Sequence, residues 1–151
     1  MRKAKNRSYK QIVKGLAYSG HETNYCTTAS TCAVSGLSAG KVVALAKRYV
    51  DGFELNKGLN IDRFRDLLES AYGEDFRILG GEFGETVHAG RQFRTVAKEL
   101  ADQGGRWIIV TMSRKSGHAT AIRDGEIVDW MDETRRHKVG YVIEVPNGCI
   151  A

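Results

Sequence analysis

A histidine and an aspartate stand eleven residues apart in the run His118 to Trp130, HATAIRDGEIVDW, on either side of an Asp-Gly pair. A two-residue hairpin loop needs positive φ at its centre, which Asp124-Gly125 tolerates. The run therefore reads as two short strands that pair Arg123 with Glu126, Ala121 with Val128 and Thr120 with Asp129. Successive side chains of a strand alternate between its faces, so His118, Thr120 and Asp129 leave one face as neighbours. A general base and the acid that orients it need that relation, and the remaining requirement is a nucleophile.

The chain has three cysteines, Cys26, Cys32 and Cys149, and no CxxC pair, a set that suggests neither a disulfide framework nor a zinc ribbon. Cys26 opens the segment CTTASTCAV, whose small side chains suit a short helix buried in a core. At a helix start the unpaired backbone N–H groups and the positive end of the dipole favour an anion, and an imidazole beside it completes a thiolate–imidazolium pair. Cys32, six residues on, lacks that environment and reads as a small core residue, and Cys149 lies almost at the end of the sequence. His21, His88 and His137 have no metal-ligand spacing, and the glycines at 80, 81 and 84 neither follow a strand of normal length nor open a helix. No metal or cofactor is expected.

These groups need elements to hold them. After the Cys26 helix, Ser38 is placed to cap a second helix reaching about Val50, with Val42, Leu45, Ala46 and Tyr49 on one face and Lys41, Lys47 and Arg48 pointing away. Asn60 or Asp62 caps a third, carrying Phe64, Leu67, Leu68 and Ala71 and stopping at Gly73. Phe76 to Leu79 reads as a short strand, and Thr95 as the cap of a fourth helix running to about Asp102. From Arg106 the period changes: RWIIVTM is rich in β-branched and apolar residues, as expected of a central strand, the histidine hairpin follows, and KVGYVIEV at 138 to 145 is the last strand, closed by Pro146. Helices followed by an antiparallel sheet make an α+β fold, with residues 1–20 as a basic, mobile arm holding at most one short helical turn and 21–151 as one domain.

The composition, 42% hydrophobic and 27% charged in 151 residues, describes one globular core, and no apolar run approaches the ~18 residues of a membrane span. The basic start is not followed by an apolar segment of the signal-peptide type, so a cytoplasmic location is expected. The net charge of +5 is uneven: Arg2, Lys3, Lys5, Arg7, Lys10 and Lys14 all precede the first acid, Glu22. Such an arm has the charge to meet nucleic acid or an acidic partner, although a solvated terminus is the simpler reading.

The order of a cysteine at a helix start, a histidine opening a strand and an acid on the next strand resembles the papain-like cysteine peptidase superfamily. More narrowly, Tyr25-Cys26 with the Ser38 helix, Gly105-Arg106-Trp107, and Gly117-His118-Ala119-Thr120-Ala121 leading to Asp124-Gly125 and Asp129 are similar to a set of small phage proteins of that fold. The resemblance spans roughly residues 20 to 145. It implies that Cys26 attacks a carbonyl carbon of a protein or peptide substrate, His118 shuttles the proton and Asp129 fixes the imidazole, with a thioester intermediate. The glutamine that larger peptidases place before the cysteine is absent from Gly20-His21-Glu22-Thr23-Asn24, which leaves the Asn24 amide and the Cys26 N–H as oxyanion donors.

Plainer roles exist for each residue. Asp132 competes with Asp129 for the third position but alternates to the other face, and Asp129 can instead pair with Arg123 or Arg135. Trp107 and Trp130 either border a substrate groove or fill the core or its rim. The alternative function is a non-catalytic phage protein of the same fold that binds a host protein or, less expectedly, nucleic acid, or a virion component.

Overall fold

The structure, a computed structural model, describes residues 2–3, 5–16, 25–54, 59–80, 88–112, 117–128 and 137–151. The elements in chain order are β1 (Arg2–Lys3), α1 (Tyr9–Leu16), α2 (Cys26–Ser35), α3 (Ala39–Tyr49), α4 (Ile61–Tyr72), β2 (Arg77–Gly80), α5 (Phe93–Gln103), β3 (Arg106–Met112), β4 (Gly117–Arg123), β5 (Glu126–Val128), β6 (Lys138–Val145) and β7 (Gly148–Cys149). Mixed helix and antiparallel sheet make this an α+β fold.

The main sheet has the order β2-β6-β3-β4-β5, every pair antiparallel. As expected of a strand apolar on both faces, β3 lies at the centre. Its alternate residues divide between two cores. Ile108 and Val110 join Ala119, Ala121 and Ile143 in the cluster that contains α1 to α4, whereas Trp107 and Ile109 join Ile122, Val142 and the α5 residues Phe93, Val96 and Leu100. The two clusters therefore occupy opposite faces of the sheet, one under α2 and one under α5.

Every residue of α2 is buried, so it has no solvent face. Its composition makes this tolerable: small side chains allow close approach, and hydroxyls find local acceptors, as where Thr31 Oγ1 donates to the Thr27 carbonyl at 2.8 Å. Gly36, at φ 73°, ends the helix in the left-handed conformation that favours glycine. Ser38 caps α3 by accepting from Lys41 N at 3.2 Å, and Asn60 caps α4 by accepting from Arg63 N at 2.9 Å.

Four expectations are corrected. Tyr49 does not share the buried face of α3 with Val42, Leu45 and Ala46: as the last residue of the helix it is 51% exposed. The segment expected as a mobile arm contains an eight-residue helix, α1, whose Ile12 and Leu16 are buried in the α2-side core, and Arg2–Lys3 pair with Gly148–Cys149. β6 spans Lys138–Val145 and stops before Pro146, as expected, but it is not the last strand, because the two-residue β7 follows. Thr95 is not the cap of α5: it lies exposed inside the helix, which starts at Phe93 after Gln92. The reason is a remote backbone partner. Phe93 N donates to the His137 carbonyl at 2.8 Å, Val139 N to the Arg91 carbonyl at 2.8 Å and Gly90 N to the Val139 carbonyl at 2.8 Å, so the start of β6 satisfies this helix entrance and no hydroxyl is required.

Candidate active site

The histidine hairpin forms in the expected register, Arg123 opposite Glu126 and Ala121 opposite Val128. Both turn residues have positive φ, 51° at Asp124 and 87° at Gly125, the requirement that identified the turn. His118 is the second residue of β4, pairs with Thr111 and is buried at 5% exposure. Because Ala119 and Ala121 belong to the α2-side core and Ile122 to the α5-side core, alternation carries His118 and Thr120 out on the α5 side. Asn24, Asp129, Trp130, Asp132 and His21 lie outside the described residues.

Cys26 occupies the first position of α2, as expected, and no side chain of the N-cap residue Tyr25 competes for the helix N–H groups. Its Sγ accepts a hydrogen bond from the Ala119 amide at 3.3 Å, and one turn further along α2 the Ser30 hydroxyl donates to the Ala119 carbonyl at 3.0 Å. The N–H and C=O of one strand residue point to the same side of the strand. With both directed to α2, Ala119 turns its polar groups away from β3, although it stands opposite Val110. They point to the side on which β5 pairs further along β4, and β5 as described ends at Val128, opposite Ala121. Cys26 and Ser30, spaced i and i+4, thus supply to Ala119 the donor and acceptor that a neighbouring strand would supply.

This arrangement brings the thiol to the edge of β4 rather than over its face. The Ala119 amide that holds the sulfur directly follows His118 in the chain, and the two side chains belong to opposite faces of β4. The Ala119 N–H and the α2 N-terminus both direct positive partial charge at the sulfur.

Sequence reasoning missed Tyr141. It stands on β6 opposite Val110, in the same cross-strand row as Ala119, and packs partly buried against the α2-side core. Burial raises its phenol well above the usual tyrosine range, and the charge of a Cys26 thiolate raises it further. The signal was present in the alternation of Tyr141, Ile143 and Val145, all of which face α2.

The groove reading of Trp107 is overturned. Its ring lies in the α5-side core at 7% exposure and its indole N–H donates to the Gly104 carbonyl at 2.8 Å, whereas Cys26 belongs to the other core. Cys32 is fully buried, as expected, and burial pushes its thiol up to about 12. Cys149 is buried in β7, and all three thiols are free.

The opposite end of α2 is held by arginines. With no basic residue in its last turn, its exposed carbonyls need donors from elsewhere. Arg106 donates to the Val34 carbonyl at 3.1 Å and the Ala33 carbonyl at 3.4 Å, Arg123 to the Ala33 carbonyl at 3.3 Å and the Arg7 carbonyl at 2.7 Å, and Arg7 to the Gly36 carbonyl. Arg106 and Arg123 flank the same β3–β4 pair, so a clamp at one end of α2 fixes the register of Cys26 on Ala119 at the other. Among the described residues no group of three or more His, Cys, Asp or Glu side chains is arranged to hold a metal, and no single helix is long and apolar enough to cross a membrane. Comparison with protein-family models, with curated proteins and with solved structures returned no match.

Proposed function

We propose that the chain is a phage-encoded, cytoplasmic thiol hydrolase or acyltransferase of papain-like fold. The observation that supports this reading best is the seat of Cys26: a sulfur at the first position of a buried helix, resting on the amide that directly follows His118. In the proposed reaction Cys26 Sγ bonds to the carbonyl carbon of a protein or peptide substrate, and the proton of the thiol passes through the His118 imidazole to the departing amine. The carbon–nitrogen bond breaks and a thioester remains. Water then gives a proton to the imidazole and its hydroxyl to the thioester carbon, releasing the acid and restoring the thiol. Asp129 is assigned to orient the imidazole, and the Cys26 N–H with the Asn24 amide to stabilise the oxyanion.

One observation favours a second reading. Cys26 is 7% exposed and its sulfur already serves as the hydrogen-bond partner of Ala119, a role that needs no reactivity. In that case the chain is a non-catalytic binder or virion component in which Cys26 and Ser30 only dock α2 onto β4.

Native alkylation by iodoacetamide, located by mass spectrometry over a range of pH, separates the two. The proposed chemistry requires labelling at Cys26 near pH 6 that His118→Ala slows strongly, while Cys32, whose thiol burial holds protonated, stays unlabelled. A Cys26 that labels only together with Cys32, or at a rate indifferent to His118, establishes the structural reading.

A further inference from the structure

Residues 1–50 contain nine Lys and Arg and a single acid, Glu22, and so hold more than the entire +5 of the chain. Five of these nine cations lie on two helices that pack against each other, α1 and α3. α1 and α3 touch where Gly15 meets Ala39: a Cβ added at Gly15 would stand 3.0 Å from that of Ala39. Lys10 and Lys14 on α1, Lys41, Lys47 and Arg48 on α3, and Lys5 shortly before α1 are all exposed, and neither helix carries an acid. Gly40 and Ala44 lie exposed among the α3 cations, and no atom stands within 4 Å of a Cβ built on Gly40. Small residues between cations let a phosphate backbone come close. At the end of α3 the Tyr49 ring is 51% exposed with the Arg48 guanidinium 5.3 Å from its centroid.

We infer that the α1–α3 face binds single-stranded nucleic acid, its lysines tracking the phosphates and Tyr49 stacking on a base. An acidic protein or an anionic membrane would use the same cations; a flat ring beside an arginine at the end of a row of cations suits in particular a base, which stacks on both. Arg7 is committed to the Gly36 carbonyl and is not part of this surface. This inference is independent of the thiol chemistry.

The test is fluorescence anisotropy of a labelled oligothymidylate of about 20 nucleotides, and of a duplex of about the same length, as potassium chloride rises from about 50 to about 200 mM. The single strand is expected to bind more tightly than the duplex. Each engaged lysine contributes about 0.7 to the slope of log affinity against log salt, so Lys41→Gln with Lys47→Gln lowers that slope by about 1.4. Tyr49→Ala is expected to weaken binding roughly 5-fold or more. The control is Arg94→Gln with Lys98→Gln, which removes the same charge from exposed positions of α5 on the other side of the sheet and leaves the slope unchanged. All these positions are exposed, so thermal melts of the variants match the parent. The inference is overturned by absence of binding at about 50 mM salt, by an equal effect of the α5 control, or by duplex binding that equals the single strand and ignores Tyr49. Binding to vesicles containing phosphatidylserine without binding to the oligonucleotide overturns it as well.

Discussion

Replacing Arg106 by methionine tests whether the clamp on α2 is energetically real. The side chain is 3% exposed, and besides the Val34 and Ala33 carbonyls it donates to Asn6 Oδ1 at 2.5 Å and meets Asp124 Oδ2 at 3.3 Å. Methionine fills much of the volume and supplies no donor. The Ala33 carbonyl keeps its bond from Arg123 at 3.3 Å and the exposed Asn6 side chain turns to water, so the uncompensated loss falls on the Val34 carbonyl. Buried acceptors left without partners cost about 1–3 kcal/mol each. Two terms oppose this: the guanidinium no longer has to be desolvated, and Arg123, whose ionisation is disfavoured by burial and then by the charge of Arg106, is relieved. The net loss is expected to be about 1–3 kcal/mol, a fall in Tm of about 2–12 °C for a chain of this size. Asp124→Asn is expected to cost at most about 1 kcal/mol, because the Asp124 side chain is 51% exposed and its ion pair is screened. Urea unfolding followed by circular dichroism reads both, with a lower midpoint and an unchanged slope. Arg106→Met within about 0.5 kcal/mol of the parent, or above it, would refute the clamp.

Further outcomes follow from other parts of the fold. Ser30→Ala leaves the buried Ala119 carbonyl without its donor and is expected to cost about 1–3 kcal/mol in the same unfolding assay. Ser38→Ala removes the cap of α3 and is expected to cost about 1 kcal/mol, while Thr95→Ala, at the position first expected to cap α5, stays within about 0.5 kcal/mol of the parent. Alkaline stability depends on Cys32, whose folded value of about 12 lies above the ordinary thiol value of 9.0. Below the ordinary value both states hold the proton and nothing changes. Above it the unfolded chain ionises first, so stability falls with rising pH by up to about 1.4 kcal/mol per unit until the folded thiol also ionises. Denaturant midpoints measured from about pH 8 to about pH 10.5 are expected to fall less steeply for Cys32→Ala than for the parent, and parallel curves would contradict the assignment.

Features that depend on neighbours in sequence were legible there. The Asp124-Gly125 turn, the caps at Ser38 and Asn60 and the apolar, β-branched run of β3 follow from local φ requirements, side-chain acceptors and periodicity, and all recur in the structure. What was not legible depends on partners far along the chain. α5 begins two residues before Thr95 because residues 137–139 satisfy its entrance, and α1 is part of the core because α2 and α3 offer it a surface. The site divides in the same way. Helix-start chemistry selected Cys26 over Cys32 and Cys149, and the turn placed His118, but nothing local shows that Cys26 and Ser30 take the place of a strand beside Ala119, 93 and 89 residues away. Nor does local pattern show that Trp107 faces α5 while Tyr141 faces α2, since that division requires knowing which helix covers which side of the sheet.

Whether Cys26 is acylated and then released with the help of His118 is tested most directly by intact-mass spectrometry during reaction with a small activated ester, p-nitrophenyl acetate. One acetyl group is expected to appear on the parent, to map to Cys26, and to be cleared by water; His118→Ala is expected to slow that clearance roughly 100-fold or more. Acetyl groups scattered over lysines with none on Cys26, or clearance from Cys26 at the same rate with and without His118, would contradict the proposed chemistry.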